Sequence, residues 1–170
     1  LAGLAGKRIF ILDLDVLITG NLDELFAYPK GDQFYIIKDW KKTDGTVGQG
    51  TCFSFVVGDF EFVKEAFEAD PEGITSQYGS ATQQFLSKML IEKYGKLTFW
   101  PEAWFQSFRY HCLPPMLLRH FLTPRKPKPG TKVLAFHGNP GIRDAIGGRW
   151  AAPGANKAPK GLKKIYKACK

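Results

Sequence analysis

An almost unbroken apolar run near the start of the chain ends in two carboxylates. Residues 8–15, RIFILDLD, place apolar side chains on both faces of an extended segment, which is typical of a buried strand. Asp13 and Asp15 stand one residue apart at its end. The segment 21–28, NLDELFAY, leaves room for only a short helical turn before Pro29. The pattern therefore predicts a strand, a polar end and a short helix.

Strand-like and helix-like patterns alternate along much of the remaining chain. The predicted elements are strands over 33–39, 51–57, 96–100 and 133–138, and helices over 60–69 and 80–95. Asp59 is expected to cap the first of these helices, and Ser80 with Gln83 to form a capping box for the second, which Gly95 should end. This intermixing predicts an α/β fold with a mixed sheet flanked by helices.

Length and charge indicate one folded domain with a basic tail. With 170 residues, 44% of them hydrophobic, the chain is long enough to bury a sizeable core. Residues 1–118 carry eleven basic and fifteen acidic side chains, whereas 119–170 carry thirteen and one. We expect a domain over 1–150 and a basic tail over 151–170. The tail suits an anionic partner such as phosphate groups or a membrane surface, but a solvated tail is the simpler explanation, and no nucleic-acid partner is expected.

The cysteines and the apolar runs bear on location. Cys52, Cys112 and Cys169 lie far apart and show no CxxC spacing, which predicts reduced thiols in a cytoplasmic protein. The apolar runs are too short to span a bilayer, and no signal peptide is evident. The absence of an initiator methionine suggests that the sequence begins inside a larger protein.

The chemistry of the acid pair points to a metal ion. Side chains two residues apart in a strand share a face, so Asp13 and Asp15 would repel each other unless a cation lay between them. Mg²⁺ or Mn²⁺ takes such oxygen ligands, and sites in α/β sheets form beyond the carboxyl ends of strands. A strand end that merely forms turn hydrogen bonds remains the alternative.

Two classes of enzyme carry D-x-D at the end of a hydrophobic strand. Phosphatases of the haloacid dehalogenase type also need a later Ser or Thr, a Lys and an acidic pair after a strand, whereas VVGDF offers one Asp and VLAFHG offers none. By contrast, ILDLDVLITGNLDELF resembles the motif region of glycosyltransferase family 8, and VLAFHGNPG resembles the FHG motif of that family. The resemblance covers residues 8 to about 144.

The resemblance implies a metal site and a donor site. Asp13, Asp15 and His137 would hold Mn²⁺ or Mg²⁺, and an imidazole at a strand end is a reasonable Mn²⁺ ligand. Gly138 and Asn139 would allow the backbone to approach the diphosphate of a nucleotide sugar.

The chain also departs from the family pattern at three places. The family has Lys-Pro after its HG, where this chain has Gly141 and Ile142, and Arg143 is the candidate to supply the missing charge. An Asp-Gln pair faces the transferred sugar in relatives. Here Thr82 replaces the Asp, and Gln83 is the candidate catalytic residue unless it serves only the capping box. Ser54 takes the position of a donor-binding Asn.

Together these features predict a metal-dependent glycosyltransferase of GT-A-like fold. It would move a sugar from a nucleotide-diphosphate sugar to a hydroxyl acceptor, with the retention of configuration that the resemblance implies. In that fold the pocket for the nucleotide base precedes the DxD strand, so the domain is expected to be incomplete at its N-terminus, and this segment alone is expected to bind donor weakly or not at all. A non-catalytic descendant acting as a binding module and a haloacid-dehalogenase-type phosphatase are the alternatives. The sequence gives no indication of oligomeric state.

Overall fold

The structure, a computed structural model, describes residues 3–150, so the basic tail predicted over 151–170 lies outside the described residues. In chain order the elements are β1 (Arg8–Leu12), β2 (Val16–Ile18), α1 (Asp23–Ala27), β3 (Tyr35–Lys38), β4 (Gly48–Val56), α2 (Glu61–Ala69), α3 (Pro71–Tyr78), α4 (Thr82–Tyr94), β5 (Thr98–Phe99), β6 (Phe105–Ser107), β7 (Val133–Ala135) and α5 (Ile142–Ile146). Single 3₁₀ turns cover Glu102–Trp104 and Met116–Leu118, and a π-helix covers Phe108–Cys112.

Contacts divide this part of the chain into two compact units. The first unit contains residues 3–13 and 23–102, and the second contains 14–22 and 103–150. The boundary between the two units therefore falls inside the DLD motif, with Asp13 in the first unit and Asp15 in the second. The hydrophobic pattern, which predicts one domain over 1–150, gives no sign of this division.

The first unit is built on a mixed four-stranded sheet in the order β1-β4-β3-β5. β4 lies antiparallel to both β1 and β3, whereas β5 lies parallel to β3. Because β1 and β3 run in the same direction, their carboxyl ends lie at the same edge of the sheet. Asp13 and Asp39, which directly follow these two strands, are therefore placed at that edge.

Aromatic side chains fill both faces of this sheet. On one face Phe34 stacks on Phe53 and Phe55, with ring centroids 5.5 and 5.8 Å apart, next to the fully buried Ile36. On the other face the buried Trp100 contacts Phe10 and Tyr35, at centroid distances of 5.7 and 5.1 Å. Fully burying such a side chain contributes roughly 1.5–3 kcal/mol, and those aromatic residues that are only half-buried contribute less.

The helices of the first unit begin differently from the sequence-based prediction, although α4 ends where it was predicted to end. The predicted caps are wrong, because Phe60 precedes α2 and Ala81 precedes α4, and neither helix start has a side-chain cap. Phe60 instead packs edge-on against Phe34 at 5.0 Å, which indicates that core packing determines how α2 begins. Gly95 ends α4 in the left-handed conformation, at a φ of 77°, as predicted.

Helix α3 was not predicted. Pro71 occupies the first turn of this helix, where a missing backbone N–H costs nothing. Asp70 caps this helix, since its Oδ1 accepts a hydrogen bond of 2.9 Å from the backbone N–H of Gly73. The start of α3 therefore combines a proline in the first turn with a side-chain cap next to it in the sequence.

The second unit contains a mixed three-stranded sheet in the order β2-β7-β6. β2 lies antiparallel to β7, and β6 lies parallel to β7. Phe108 stacks on Phe136 at 4.7 Å in a core that also holds Leu134, Cys112 and Ala145. Both units combine helices with mixed sheets, so the predicted α/β class is confirmed. Across residues 3–150, none of the helices combines the length and apolar composition needed to cross a bilayer.

A glycine pair in β4 tests the packing of the first unit. A Cβ on Gly48 would lie 2.5 Å from Cδ1 of Ile36, whereas a Cβ on Gly50 would meet no atom within 4 Å. Since Ile36 is fully buried, we expect Gly48→Ala to lower the free energy of unfolding by about 1–3 kcal/mol. Gly50→Ala, the matched control, should stay within about 0.5 kcal/mol of the wild type. Urea unfolding measures both, and equal losses would contradict this account of the packing.

Candidate functional site

Two motifs that lie far apart in the sequence become neighbours in the second unit. Asp15 precedes β2 and His137 follows β7 by two residues. The backbone N–H of Phe136 donates a 2.9 Å hydrogen bond to the carbonyl of Asp15, which continues the β2–β7 ladder by one step. Asp15 and His137 therefore lie within one residue of each other across the ladder.

Ser107 holds the ring of His137. The Oγ of Ser107 and the Nε2 of His137 share a hydrogen bond of 2.7 Å, and Ser107 is fully buried at the end of β6. The parallel pairing of β6 with β7 places Ser107 opposite Ala135, so the two strands end side by side. The same Oγ accepts a hydrogen bond of 3.3 Å from the backbone N–H of Tyr110. A strand end and a helix start thus fix one nitrogen of the imidazole.

The π-helix after β6 is anchored by a second histidine. The backbone N–H of Ser107 donates to Nδ1 of His111 over 2.9 Å, which gives His111 a structural role. Phe108 and Cys112 are buried in the core, while Arg109 and Tyr110 are exposed between them. Single π-helical turns of this kind occur often at functional sites.

Three predicted binding residues follow β7, two in the loop and one on α5. Gly138 adopts a φ of 73°, a conformation that favours glycine, and Asn139 is exposed before a cis peptide bond to Pro140. Arg143 is exposed on α5 and forms no ion pair within residues 3–150. The structure therefore leaves all three accessible beyond the end of β7.

Gln83 lies in the first unit, and its neighbour there is an acid that the sequence did not single out. Its capping role is excluded because α4 begins after Ala81 without a side-chain cap. Its Nε2 instead donates to Oδ2 of Asp39 over 3.4 Å, and Oδ1 of Asp39 accepts from the backbone N–H groups of Lys41 and Lys42. Thr82 replaces the Asp that the resemblance leads us to expect before Gln83. Asp39 supplies a carboxylate next to Gln83 instead.

Ser54 is placed differently from the predicted donor contact. It is fully buried in β4, and its Oγ accepts a 3.1 Å hydrogen bond from Nη1 of Arg8. A contact with a sugar nucleotide would require this side chain to become accessible.

Asp13 is exposed at the end of β1, and its backbone N–H donates to the carbonyl of Thr51 over 2.9 Å. The carboxylate of Asp13 lies near the buried thiol of Cys52. Burial, and to a lesser extent the charge of Asp13, raise the pKa of Cys52 to about 12, and burial alone raises the pKa of Cys112 to about 11. Both thiols are free, in agreement with the prediction for the cysteines that the structure describes.

The donor types suit a divalent cation, but a complete metal site is not evident. Two carboxylates and an imidazole match the preferences of Mn²⁺. Among the residues from 3 to 150, no group of three or more His, Cys, Asp or Glu side chains is arranged to hold a metal ion. The metal role of Asp13, Asp15 and His137 stays a prediction, supported so far by the proximity of the last two.

Comparison with known proteins adds no identity: no protein-family model, no curated protein and no solved structure matches the chain.

The Ser107–His137 contact predicts an effect that is local to the imidazole. Ser107→Ala should lower the free energy of unfolding by about 1–3 kcal/mol and shift the ring nitrogens of His137 in long-range ¹⁵N–¹H NMR spectra, because Nε2 loses its partner. Ser87→Ala is the control, since Ser87 is equally buried and links Gly48 to Gln83 in the first unit. It should lower stability while leaving the His137 resonances unchanged. An unchanged His137 spectrum in Ser107→Ala would contradict the contact.

The buried thiol predicts a loss of stability at alkaline pH. The native protein keeps the proton of Cys52 up to about pH 12, while the unfolded chain releases it near pH 9.0. The unfolded state therefore gains stability above pH 9, and the free energy of unfolding falls as the pH rises. Between pH 8 and 10.5 the wild type should lose about 2 kcal/mol more than Cys52→Ala in urea unfolding. Parallel pH profiles for the two proteins would show that the thiol is not buried as described.

Proposed function

We propose that this chain belongs to a metal-dependent glycosyltransferase of GT-A-like fold, which moves a sugar from a nucleotide-diphosphate sugar to a hydroxyl acceptor. The observation that carries the proposal is the backbone hydrogen bond from Phe136 to Asp15, at 2.9 Å. It joins the DLD motif to the FHG motif, the two segments on which the resemblance to glycosyltransferase family 8 depends. Two motifs that a common site requires are thereby adjacent.

The proposal assigns Asp13, Asp15 and His137 to Mn²⁺ or Mg²⁺. When bound, such a cation neutralises the charge that develops on the departing diphosphate. Ser107 would orient His137 for this role by holding its Nε2, as partners of ligating histidines commonly do.

The other residues would bind and orient the two substrates. The exposed backbone at Gly138, with its φ of 73°, allows a phosphate group to approach closely, and Asn139 and Arg143 are accessible beside it in sequence. In the first unit, the amide of Gln83 and the carboxylate of Asp39 offer a donor and an acceptor to sugar hydroxyl groups. Transfer with retention of anomeric configuration is what the resemblance to glycosyltransferase family 8 implies.

Calorimetric titration of the full-length protein that carries this sequence tests the proposal. With MnCl₂ present, UDP-sugars and GDP-sugars are titrated into the wild type, Asp15→Ala, His137→Ala and the control Asp32→Ala, which removes an exposed carboxylate in the loop before β3. We expect metal-dependent binding of one donor series by the wild type and the control, weakened at least about tenfold in the other two variants, since each loses a charged or coordinating contact.

The outcomes separate the alternatives. A wild type that binds neither donor series, with or without Mn²⁺, would contradict the proposal. Binding without sugar transfer to any acceptor would indicate a non-catalytic module. Release of phosphate from a generic phosphomonoester, abolished by Asp13→Asn, would instead favour a phosphatase of the haloacid dehalogenase type.

A further inference from the structure

An arginine that the sequence analysis did not single out lies next to Gly138. A Cβ built on Gly138 would meet Nη1 of Arg109 at 3.6 Å, so the guanidinium occupies the space beside this glycine. Arg109 is exposed, and within residues 3–150 it forms no ion pair. A cation held next to accessible backbone, with no carboxylate to neutralise it, is the arrangement that receives an anion.

The position of Arg109 follows from the π-helix. Phe108, on one side of it, and Cys112, one turn later, are almost fully buried, which turns the intervening side chains outward. The guanidinium lies 5.8 Å from the ring centroid of Tyr110, and the same ring lies 5.5 Å from the ring of His137. Arg109 is therefore supported by an aromatic side chain that also contacts the imidazole.

The electrostatics of the second unit favour an anionic ligand. Residues 14–22 and 103–150 carry eight Lys or Arg side chains and two acids, Asp15 and Asp144. One of these acids, Asp144, is engaged by Arg149 at 3.1 Å. The positive potential around Arg109 is therefore opposed by little negative charge of the unit's own.

We propose that Arg109, together with His137 and Gly138, forms a binding site for a phosphate or diphosphate group. The planar guanidinium can pair with two phosphate oxygens at once, while Gly138 lets the backbone approach them. The identification of this group with the diphosphate of a sugar nucleotide rests on the proposed function. The anion site itself rests on the geometry alone.

Titration with inorganic pyrophosphate, in the absence of metal, tests the site on the full chain. We expect the wild type to bind it, Arg109→Gln to bind at least about tenfold more weakly, and Arg109→Lys to fall between them, because lysine keeps the charge but loses the bidentate geometry. Arg125→Gln is the control, since Arg125 is also exposed in the second unit. This variant should bind pyrophosphate within about twofold of the wild type. Such a result would show that the loss of one exposed positive charge is not enough to weaken binding.

Three results would overturn the inference and one would support it. No binding by the wild type, or equal weakening by Arg109→Gln and Arg125→Gln, would overturn it, and so would weakening by Arg143→Gln with Arg109→Gln unaffected. A thermal melt of each variant confirms that it is folded. Tenfold weakening specific to Arg109→Gln would support it.

A second titration, of the full-length protein with UDP and UDP-sugars, separates the two proposals. Pyrophosphate binding that depends on Arg109, without any binding of sugar nucleotides, would leave the anion site standing and contradict the proposed function. Sugar-nucleotide binding that does not change in Arg109→Gln would leave the proposed function standing and overturn this inference.

Discussion

The antiparallel pairing of β2 with β7 is the constraint on which the second unit depends. Residues 14–22 come from a distant part of the chain, and closing so long a loop costs conformational entropy that local contacts cannot offset. The ladder recovers this cost through backbone hydrogen bonds from Phe136 to Asp15 and from Thr19 to Lys132, above a core in which Phe108 stacks on Phe136. Without this ladder, Asp15 and His137 would have no fixed position relative to each other.

The parallel pairing of β6 with β7 adds the second layer of the site. Since both strands end at the same edge, Ser107 and His137 meet over a 2.7 Å hydrogen bond, and the π-helix that follows β6 carries Arg109 to Gly138. One imidazole nitrogen is held by a buried hydroxyl, and the exposed guanidinium of Arg109 lies beside Gly138, the residue after His137 in the chain. This combination suits a ligand with negatively charged oxygens, which is the common element of the proposed donor and of the inferred anion site.

In the first unit, the carboxyl edge of the sheet gathers polar groups of a different kind. Asp13 and Asp39 follow two strands that run in the same direction, and Gln83 reaches Asp39 from the first turn of α4. Phe34, Phe53 and Phe55 pack in one cluster with residues of α2 and α4 on one face of this sheet. The edge thus offers carboxylate and amide groups, which bind hydroxyl-rich ligands readily.

The candidate site was only half accessible to sequence reasoning. Asp15 and His137 were found because each ends or follows a strongly apolar run, and strand ends are where such chemistry collects. Ser107, Arg109 and Asp39 carry no comparable signal, since their roles come from contacts with residues elsewhere in the chain. Of these three residues, Asp39 comes closest to having a sequence signal, because it is the first residue after β3.

The sequence by itself determined the elements whose own patterning is strong. The apolar runs of β1, β3 and β4, the periodicity of α2 and α4, and the glycine that ends α4 all act within a few neighbouring residues. Tertiary structure alone decided the three-residue strands β2 and β6 and the short helix α5, because so few residues show no period and are stable only when a distant partner pairs with them. It also decided where α2 begins, since the packing of Phe60 against Phe34 outweighed the capping preference of Asp59. The acid pair was therefore visible in the sequence, but its division between two units, and the partners that surround His137, were not.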